Sequence, residues 1–299
     1  MIPQLSIIIA SINDPSYLAA CLTALRQQVG NINAEVIVAD CVGVAVINLI
    51  AVTYPEVKLI AFNEFQTVAV LRAAAILAAQ GEIIVITEDH CIPPPHWYEA
   101  IWKAHIKYPS IAIGGAVDNG ATESLLDWAV FFCEYGKFIS PAPDGIVHDL
   151  PAPNVSYKRA AFMTTLADQL EQGYRETFIH NYLVSRGEIL WSDSKISMIH
   201  KKHFTFFSFL NERYHYSRAF AGNRNKTISF LQRLLYLCFA PLLPPLLLVR
   251  LSRQILPRKR HLQKFCFSLP YLVVFTIIWA IGEVVGYAIG SGDSERHLA

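Results

Sequence analysis

Apolar, β-rich runs alternate with helix-like segments over the first hundred residues. The apolar runs are LSIIIAS, AEVIVAD, VKLIAF and EIIVITED, and helical patterns follow the first three at 15–28, 44–53 and 67–80. Strands without polar alternation, separated by helices, are typical of a parallel sheet that helices cover on both faces. The pattern therefore predicts a doubly wound, mostly parallel α/β domain, whose ligands lie at the carboxyl ends of the strands.

Polar side chains stand at three of the four predicted strand ends. Ser11 ends the first strand, Asp40 ends the second, and Glu88, Asp89 and His90 follow the fourth, just before three consecutive prolines. Strand ends are also where turns begin, so a single cluster is a weak signal. Three clusters at the same edge of a parallel sheet favour a binding site there.

The last third of the chain carries most of the surplus apolar residues. The chain is 53% hydrophobic with a mean hydropathy of +0.34, and segments 234–249 and 265–289 are almost wholly apolar. About 20 such residues can cross a bilayer, which the second segment exceeds. The basic residues around these segments suit anionic lipid headgroups, so we expect a membrane region.

The membrane topology has two alternatives. Two spans would place the basic stretch 250–264 opposite the catalytic domain, against the positive-inside rule if that domain is cytoplasmic. Pro241, Pro244 and Pro245 interrupt the first segment and favour a kinked or re-entrant course. We favour the re-entrant course, with the catalytic domain in the cytoplasm.

Charge and cysteine content narrow the remaining classes of function. The formal net charge of +1 says nothing about nucleic acid by itself, and we expect no nucleic-acid partner. The six cysteines have no C-x-x-C spacing, which indicates neither a zinc site nor a disulfide framework. The loop after the first strand lacks the glycines and basic residues that a nucleotidyltransferase would need.

The ordered set of SIIIASIND, VIVAD, LRAAAILAAQ and GEIIVITEDHCIPPPHW resembles the inverting family 2 glycosyltransferases of GT-A fold. The resemblance implies that Ser11 lies in the nucleotide loop and that Asp40 contacts the base or ribose of a nucleotide sugar. It places Arg72 near the nucleotide and Glu88 in a TEDH segment that replaces the usual D-x-D. Arg213 matches in position an arginine that closes over the diphosphate; the alternative is a basic amphipathic helix lying on lipid.

The resemblance also implies a divalent cation, Mn²⁺ or Mg²⁺, which hard oxygen ligands hold against the charge on the diphosphate leaving group. The candidate ligands are Glu88, Asp89, His90 and His200. An imidazole ligand favours Mn²⁺ over Mg²⁺, since it is softer than a carboxylate. The alternative is a capped strand end that binds no metal.

Inverting transfer also requires a general base, which removes the proton of the acceptor hydroxyl. The family places an acidic pair at the start of a helix, and here Glu176 stands at that position without its second acid. Asp168 and Glu171 are rival bases. Asn154 and Ser156 match the acceptor-side loop of the family.

We therefore predict a glycosyltransferase that transfers a single sugar from a nucleotide-diphosphate sugar to a lipid or lipid-linked acceptor, because the Gln and Trp of processive synthases are missing. The alternative is a non-catalytic scaffold of the same fold. The predicted organisation is listed by range: a GT-A domain at 1–205, a basic amphipathic linker at 206–233, a membrane region at 234–289 and a polar tail at 290–299.

Overall fold

The structure is a computed structural model that describes residues 2–171, 173–225 and 227–297. Its residues form two compact units. The first unit contains 1–120 and 138–202, and the second contains 121–137 and 203–299. The second boundary lies close to the predicted one at 205, whereas 121–137 belongs to the second unit rather than to the GT-A domain. The last two residues of the predicted polar tail lie outside the described residues.

Within the described part of the chain, nine strands form one mixed sheet in the first unit. Their bounds are β1 Leu5–Ser11, β2 Ala34–Asp40, β3 Lys58–Ala61, β4 Ile83–Glu88, β5 Cys91–Ile92, β6 Ala112–Asn119, β7 Gly145–Val147, β8 Val155–Lys158 and β9 Leu190–His200. The strand order is β3-β2-β1-β4-β8-β6-β9-β5, and β7 pairs with β9.

Eleven α-helices lie within the described residues. They are α1 Pro15–Arg26, α2 Val44–Thr53, α3 Val68–Leu77, α4 Trp97–Lys107, α5 Leu125–Tyr135, α6 Arg159–Leu170, α7 Glu176–Ser185, α8 Phe206–Arg224, α9 Phe230–Phe239, α10 Leu243–Ile255 and α11 Leu262–Ile289. Single 3-10 turns separate α9 from α10 at Ala240–Leu242 and follow α10 at Leu256–Arg258.

Apolar clusters cover both faces of the sheet, which confirms the doubly wound α/β prediction. Leu71 of α3, Phe162 of α6 and Ile179 of α7 belong to one cluster. The other cluster contains residues of α1, α2 and α4, including Leu22 and Ile101. Because both faces are buried, the central strands lack polar alternation.

The parallel strands β1, β2 and β4 bring their polar ends to one edge. Ser11 pairs in register with Asp40, and Ala10 pairs with Glu88. Asp14 caps α1 by accepting a hydrogen bond from the Ser16 N–H, and Pro15 occupies the first turn, where it costs no helical hydrogen bond. The loop between β1 and α1, residues 12–14, is called the first loop, and it turns sharply across the strand ends.

The second half of the sheet contains antiparallel strands, which the apolar pattern did not predict. β8 is antiparallel to β4 and to β6, and β5 is antiparallel to β9. In the β5–β9 pair, Cys91 stands opposite His200. This register brings His200 beside His90, although 110 positions separate the two residues.

The second unit consists of α5 and α8 to α11. Two of its helical segments, Phe230–Arg258 and Leu262–Ile289, are long and apolar enough to cross a membrane by length and composition. The 3-10 turn at Ala240–Leu242 interrupts the first segment where Pro241 was expected to break it.

Candidate active site

Three side chains from two strand ends offer ligand atoms to one point. Glu88 ends β4, His90 follows it, and His200 ends β9. The Nε2 atoms of His90 and His200 are 2.8 Å apart, and Glu88 Oε2 lies 3.2 Å from the former and 3.8 Å from the latter. Neighbouring ligands at about 2.1 Å from an octahedral ion lie about 3 Å from each other. The triangle therefore fits one face of a divalent cation site.

The charges and hydrogen bonds around Glu88, His90 and His200 stabilise a positive charge at this position. Burial would lower the pKa of His90, but hydrogen bonds and the charges of Asp89 and Glu88 outweigh burial and raise the pKa to about 9. Burial and the charge of His90 lower the pKa of His200 to about 3. Burial opposes ionisation of Glu88, yet His90, Arg72 and His200 hold the pKa of that carboxyl well below its usual range. Two imidazoles and a carboxylate together can hold a divalent cation.

Asp89 lies beside this group but holds the first loop. Its Oδ2 accepts hydrogen bonds from the backbone N–H groups of Ile12 and Asn13, at 3.1 and 3.0 Å. Its Oδ1 accepts from the Asn13 side chain and lies 2.8 Å from His90 Nδ1. A carboxylate on Nδ1 orients the ring and leaves Nε2 for a ligand. The predicted role of Asp89 as a direct ligand stays a prediction; its contacts favour an orienting role.

Arg72 joins the strand end to the helix that carries the predicted base. Its guanidinium is buried, with Nη2 at 2.8 Å from Glu88 Oε1 and Nη1 at 3.4 Å from Glu176 Oε2. The segment before α7 packs on α3, because the Tyr174 N–H donates to Ala69 O and Gly173 adopts a φ of +89° there. A side chain at Gly173 would be strained and would press on Ala69.

The two rival bases lack these connections. Asp168 in α6 and Glu171 just after it are both exposed. Glu176 is partly buried, starts α7 and contacts Arg72. The arrangement favours Glu176, whose catalytic role stays a prediction.

Ser11 and Asp40 form a second polar position at the same sheet edge. Both side chains are fully buried. Asp40 Oδ2 accepts a hydrogen bond from the Gly43 N–H at 2.9 Å. Among the described residues, neither Asp40 Oδ1 nor Ser11 Oγ has a hydrogen-bond partner. A buried acceptor without a partner is costly, and a donor group of a ligand would satisfy it.

The predicted acceptor-side residues lie inside the sheet. Asn154 accepts a hydrogen bond from Trp97 Nε1 and donates to Ala116 O. Ser156 donates to Ile113 O and contacts His105 Nε2, and burial lowers the pKa of His105 to about 3. An acceptor role for Asn154 and Ser156 stays a prediction that these contacts do not support, because both side chains already make hydrogen bonds within the protein.

Arg213 lies in α8 of the second unit, where its guanidinium stands 4.2 Å from the centre of the Trp279 ring. Its predicted contact with the diphosphate stays a prediction.

Sequence reasoning missed a buried polar chain next to Glu176. Asp149 Oδ1 lies 2.9 Å from His180 Nδ1, and His180 Nε2 lies 2.7 Å from the Tyr157 hydroxyl. That hydroxyl lies 2.8 Å from the hydroxyl of Tyr174. Burial raises the pKa of both tyrosines. His180 follows Glu176 by one helical turn, and this spacing was the available signal.

Comparisons with known proteins agree with the fold. A family model described as glycosyl transferase family 2 matches residues 6–166. A search of curated protein sequences found no significant match.

Solved glycosyltransferase structures resemble the chain at low sequence identity. The mannosyltransferase PcManGT from Pyrobaculum calidifontis, in complex with GDP-Man and Mn2+, matches with a TM-score of 0.56 and 13% identity over 97% of this chain and 88% of that one. GalNAc-T7 with UDP, GalNAc and Mn2+ matches with a TM-score of 0.53 and 12% identity over 68% and 44%. S. aureus TarS 1-349 in complex with UDP-GlcNAc matches with a TM-score of 0.50 and 14% identity over 68% and 59%. These likenesses establish the GT-A fold.

Replacing Asp89 by Ala should release the first loop, because two backbone N–H groups lose their acceptor. We expect a loss of about 1–3 kcal/mol in the free energy of unfolding and faster hydrogen exchange at Ile12 and Asn13. Asp89→Asn should lose less, since its amide oxygen still accepts. The control is Asp168→Ala at an exposed carboxylate. Equal exchange at the loop in Asp89→Ala and Asp168→Ala would contradict the anchoring role.

Proposed function

Because the chain belongs to glycosyl transferase family 2, we propose that it moves a single sugar, with inversion, from a nucleotide-diphosphate sugar to a lipid or lipid-linked acceptor. The family and the fold make the chain a nucleotide-sugar-dependent glycosyltransferase. The observation that supports our proposal most strongly is the junction of Glu88, Arg72 and Glu176, which joins a candidate cation site to a candidate base.

The donor binds at the carboxyl ends of β1, β2 and β4. Asp40 Oδ1 would accept a hydrogen bond from the base or the ribose, and Ser11 Oγ would contact the nucleotide beside it. The polar atoms without partners at these two buried side chains support this assignment. The solved neighbours carry GDP-Man or UDP-GlcNAc, which supports a nucleotide sugar without selecting a base.

A divalent cation, Mn²⁺ or Mg²⁺, would be held by Glu88, His90 and His200, with Asp89 orienting His90. When bound, it would neutralise negative charge on the diphosphate leaving group. The mixed nitrogen and oxygen donor set favours Mn²⁺. PcManGT and GalNAc-T7 were both solved with Mn2+, which is consistent with this choice.

Glu176 is the proposed general base. A base must reach the acceptor hydroxyl while it faces the anomeric carbon of the donor. Arg72 fixes the Glu176 carboxylate relative to Glu88, so the carboxylate stands next to the position proposed for the diphosphate. Arg72 thereby sets the geometry between the base and the leaving group.

The apolar segments of the second unit support a lipid or lipid-linked acceptor. Two long apolar segments support membrane attachment, and a lipid-linked acceptor would be available at that surface. Basic residues between the two segments suit a cytoplasmic leaflet that carries anionic lipids. We therefore place the catalytic domain in the cytoplasm.

Calorimetric titration of UDP and GDP tests the metal site directly. With Mn²⁺, the nucleotide diphosphate that binds should do so at least about tenfold more tightly than with chelator, because the cation would neutralise negative charge on the phosphates. His90→Ala should abolish this difference without unfolding the domain, whereas His90→Asp should keep it and shift the preference toward Mg²⁺. The control is His148→Ala at an exposed histidine. Equal affinity with Mn²⁺ and with chelator in the wild type would remove the metal site and favour the non-catalytic scaffold.

Glu176→Gln should reduce turnover about 10²–10⁴-fold, the usual contribution of a positioned base. Affinity for the nucleotide diphosphate should change little, because the base acts in the transition state. Donor hydrolysis with Mn²⁺ and calorimetry measure the two effects separately. Glu188→Gln, at an exposed position just after α7, is the matched control. Unchanged turnover in Glu176→Gln would move the base to Asp168 or Glu171.

A further inference from the structure

The long apolar helix α11 buries one stripe of residues along most of its length. Ser268, Leu272, Phe275, Gly282 and Gly286 are all buried, and they follow one another at intervals of three, four or seven positions. Such spacing places side chains on a single helix face. The stripe begins near the start of the helix and continues almost to its end.

The first half of this stripe packs against α5. The Phe265 ring lies 5.3 Å from that of Phe132, and Ser268 Oγ lies 3.5 Å from Leu125 O. α5 is not a purely apolar helix. Its first turn contains the buried carboxylate of Asp127, which forms a capping box with Ser124 and pairs with a histidine of the same unit.

The second half of the stripe packs against α8. The Phe275 ring lies 4.6 Å from that of Phe209. Gly282 and Gly286 allow a close approach, because a Cβ at the former would collide with Ser217 Oγ and one at the latter with Arg218 O. The glycines of α11 therefore serve contact with α8 of the same chain.

α8 carries charged side chains against α11. The Arg213 guanidinium stands 4.2 Å from the ring centre of Trp279, and Arg218 Nε donates to Gly290 O at 3.3 Å. Glu283 lies on the same side of α11, because its Oε1 accepts a hydrogen bond from Trp279 Nε1. These polar contacts of α11 are thus on the face that α8 covers, while near the end of the helix Arg233 of α9 donates to Ala288 O.

A perpendicular crossing of the bilayer conflicts with these contacts. A span needs about 20 residues, and every 20-residue window of Leu262–Ile289 contains Trp279. The window that starts at 270 would place Arg213 near the middle of the hydrocarbon, where a charge is costly. The window that starts at 262 would place the polar start of α5 inside the bilayer, together with Arg213 near its other edge.

The opposite face of α11 is apolar and open over part of its length, and Ile277, Ile281 and Val284 also line a cavity with Pro241 and Pro244. Val273, Ile277, Ile281 and Val284 are exposed. α9 continues this surface, since none of its residues, all of which the structure describes, is buried. Exposed basic residues lie between α10 and α11 and in the last part of α10: Arg250, Arg253, Lys259 and Arg260.

We propose that α11 lies in the plane of the membrane, with its open face in one leaflet of anionic lipid, and that it does not cross the bilayer. Membrane attachment is part of the proposed function, and the in-plane course goes beyond it. Interfacial helices bury an apolar face and keep polar groups on the other side, and for α11 that polar side is formed mainly by the charged residues of α8 that pack on it. The neighbouring arginines and lysines complement anionic headgroups.

Depth measurements with spin labels test the orientation. Cysteines for labelling replace Phe267, Ile277 and Val284, one at a time, in the full-length protein with Cys238 and Cys266 changed to Ser. The three positions are exposed, so a label should not disturb packing. The depth of each label in the membrane is measured in vesicles of equal parts phosphatidylcholine and phosphatidylglycerol. An in-plane helix keeps the three labels within about 10 Å of one depth, because Phe267 lies about 100° around the helix from Val284, whereas a perpendicular span separates the first and last by about 25 Å.

Lys103→Cys, at an exposed position on α4, supplies the water-exposed reference. Flotation of the same vesicles measures attachment separately. A steady change of depth from 267 to 284 would overturn the in-plane course while leaving attachment intact. Labels that stay in water on vesicles that carry the protein would also overturn it. Failure to float would remove membrane attachment itself, and donor hydrolysis would show whether the glycosyltransferase proposal stands without it.

Discussion

The candidate site depends on one buried arginine that pairs with two carboxylates. Arg72 contacts Glu88 at the end of β4 and Glu176 at the start of α7, so three elements meet at its guanidinium. Removing one partner of a buried ion pair leaves an unpaired charge, which costs about 3–5 kcal/mol. The pairing also fixes the spacing between the proposed cation and the proposed base. The strand end, the helix and the metal group therefore form one electrostatic unit.

The first half of the fold could be predicted from the sequence because burial on both faces leaves a simple pattern. LSIIIAS coincides with β1 and EIIVITED contains β4, and the polar residues at their ends meet at the sheet edge. The proximity of His90 and His200 could not be derived from periodicity, since it depends on the antiparallel register of β5 and β9. The resemblance to a family supplied His200, and the structure supplies the reason for its position.

The direction in which individual side chains point also could not be predicted from the sequence. Three polar residues in a row at 88–90 gave no sign that Asp89 turns toward the first loop while its neighbours face His200. Likewise, Asn154 and Ser156 read as loop residues, although both hydrogen-bond inside the sheet. In the second unit, hydropathy located the apolar helices, but which face of α11 is covered depends on α5 and α8, far away in the chain.

The central claim is that two imidazoles and a carboxylate at the ends of β4 and β9 hold the cation. Pulsed electron paramagnetic resonance of Mn²⁺ bound to the protein tests this claim. The protein is prepared with ¹⁴N-histidine and with ¹⁵N-histidine, and UDP or GDP is added in excess. The account predicts modulation from directly bound imidazole nitrogen that changes with the isotope and is lost in His90→Ala combined with His200→Ala. Bound Mn²⁺ that shows phosphorus coupling without any histidine nitrogen would contradict it.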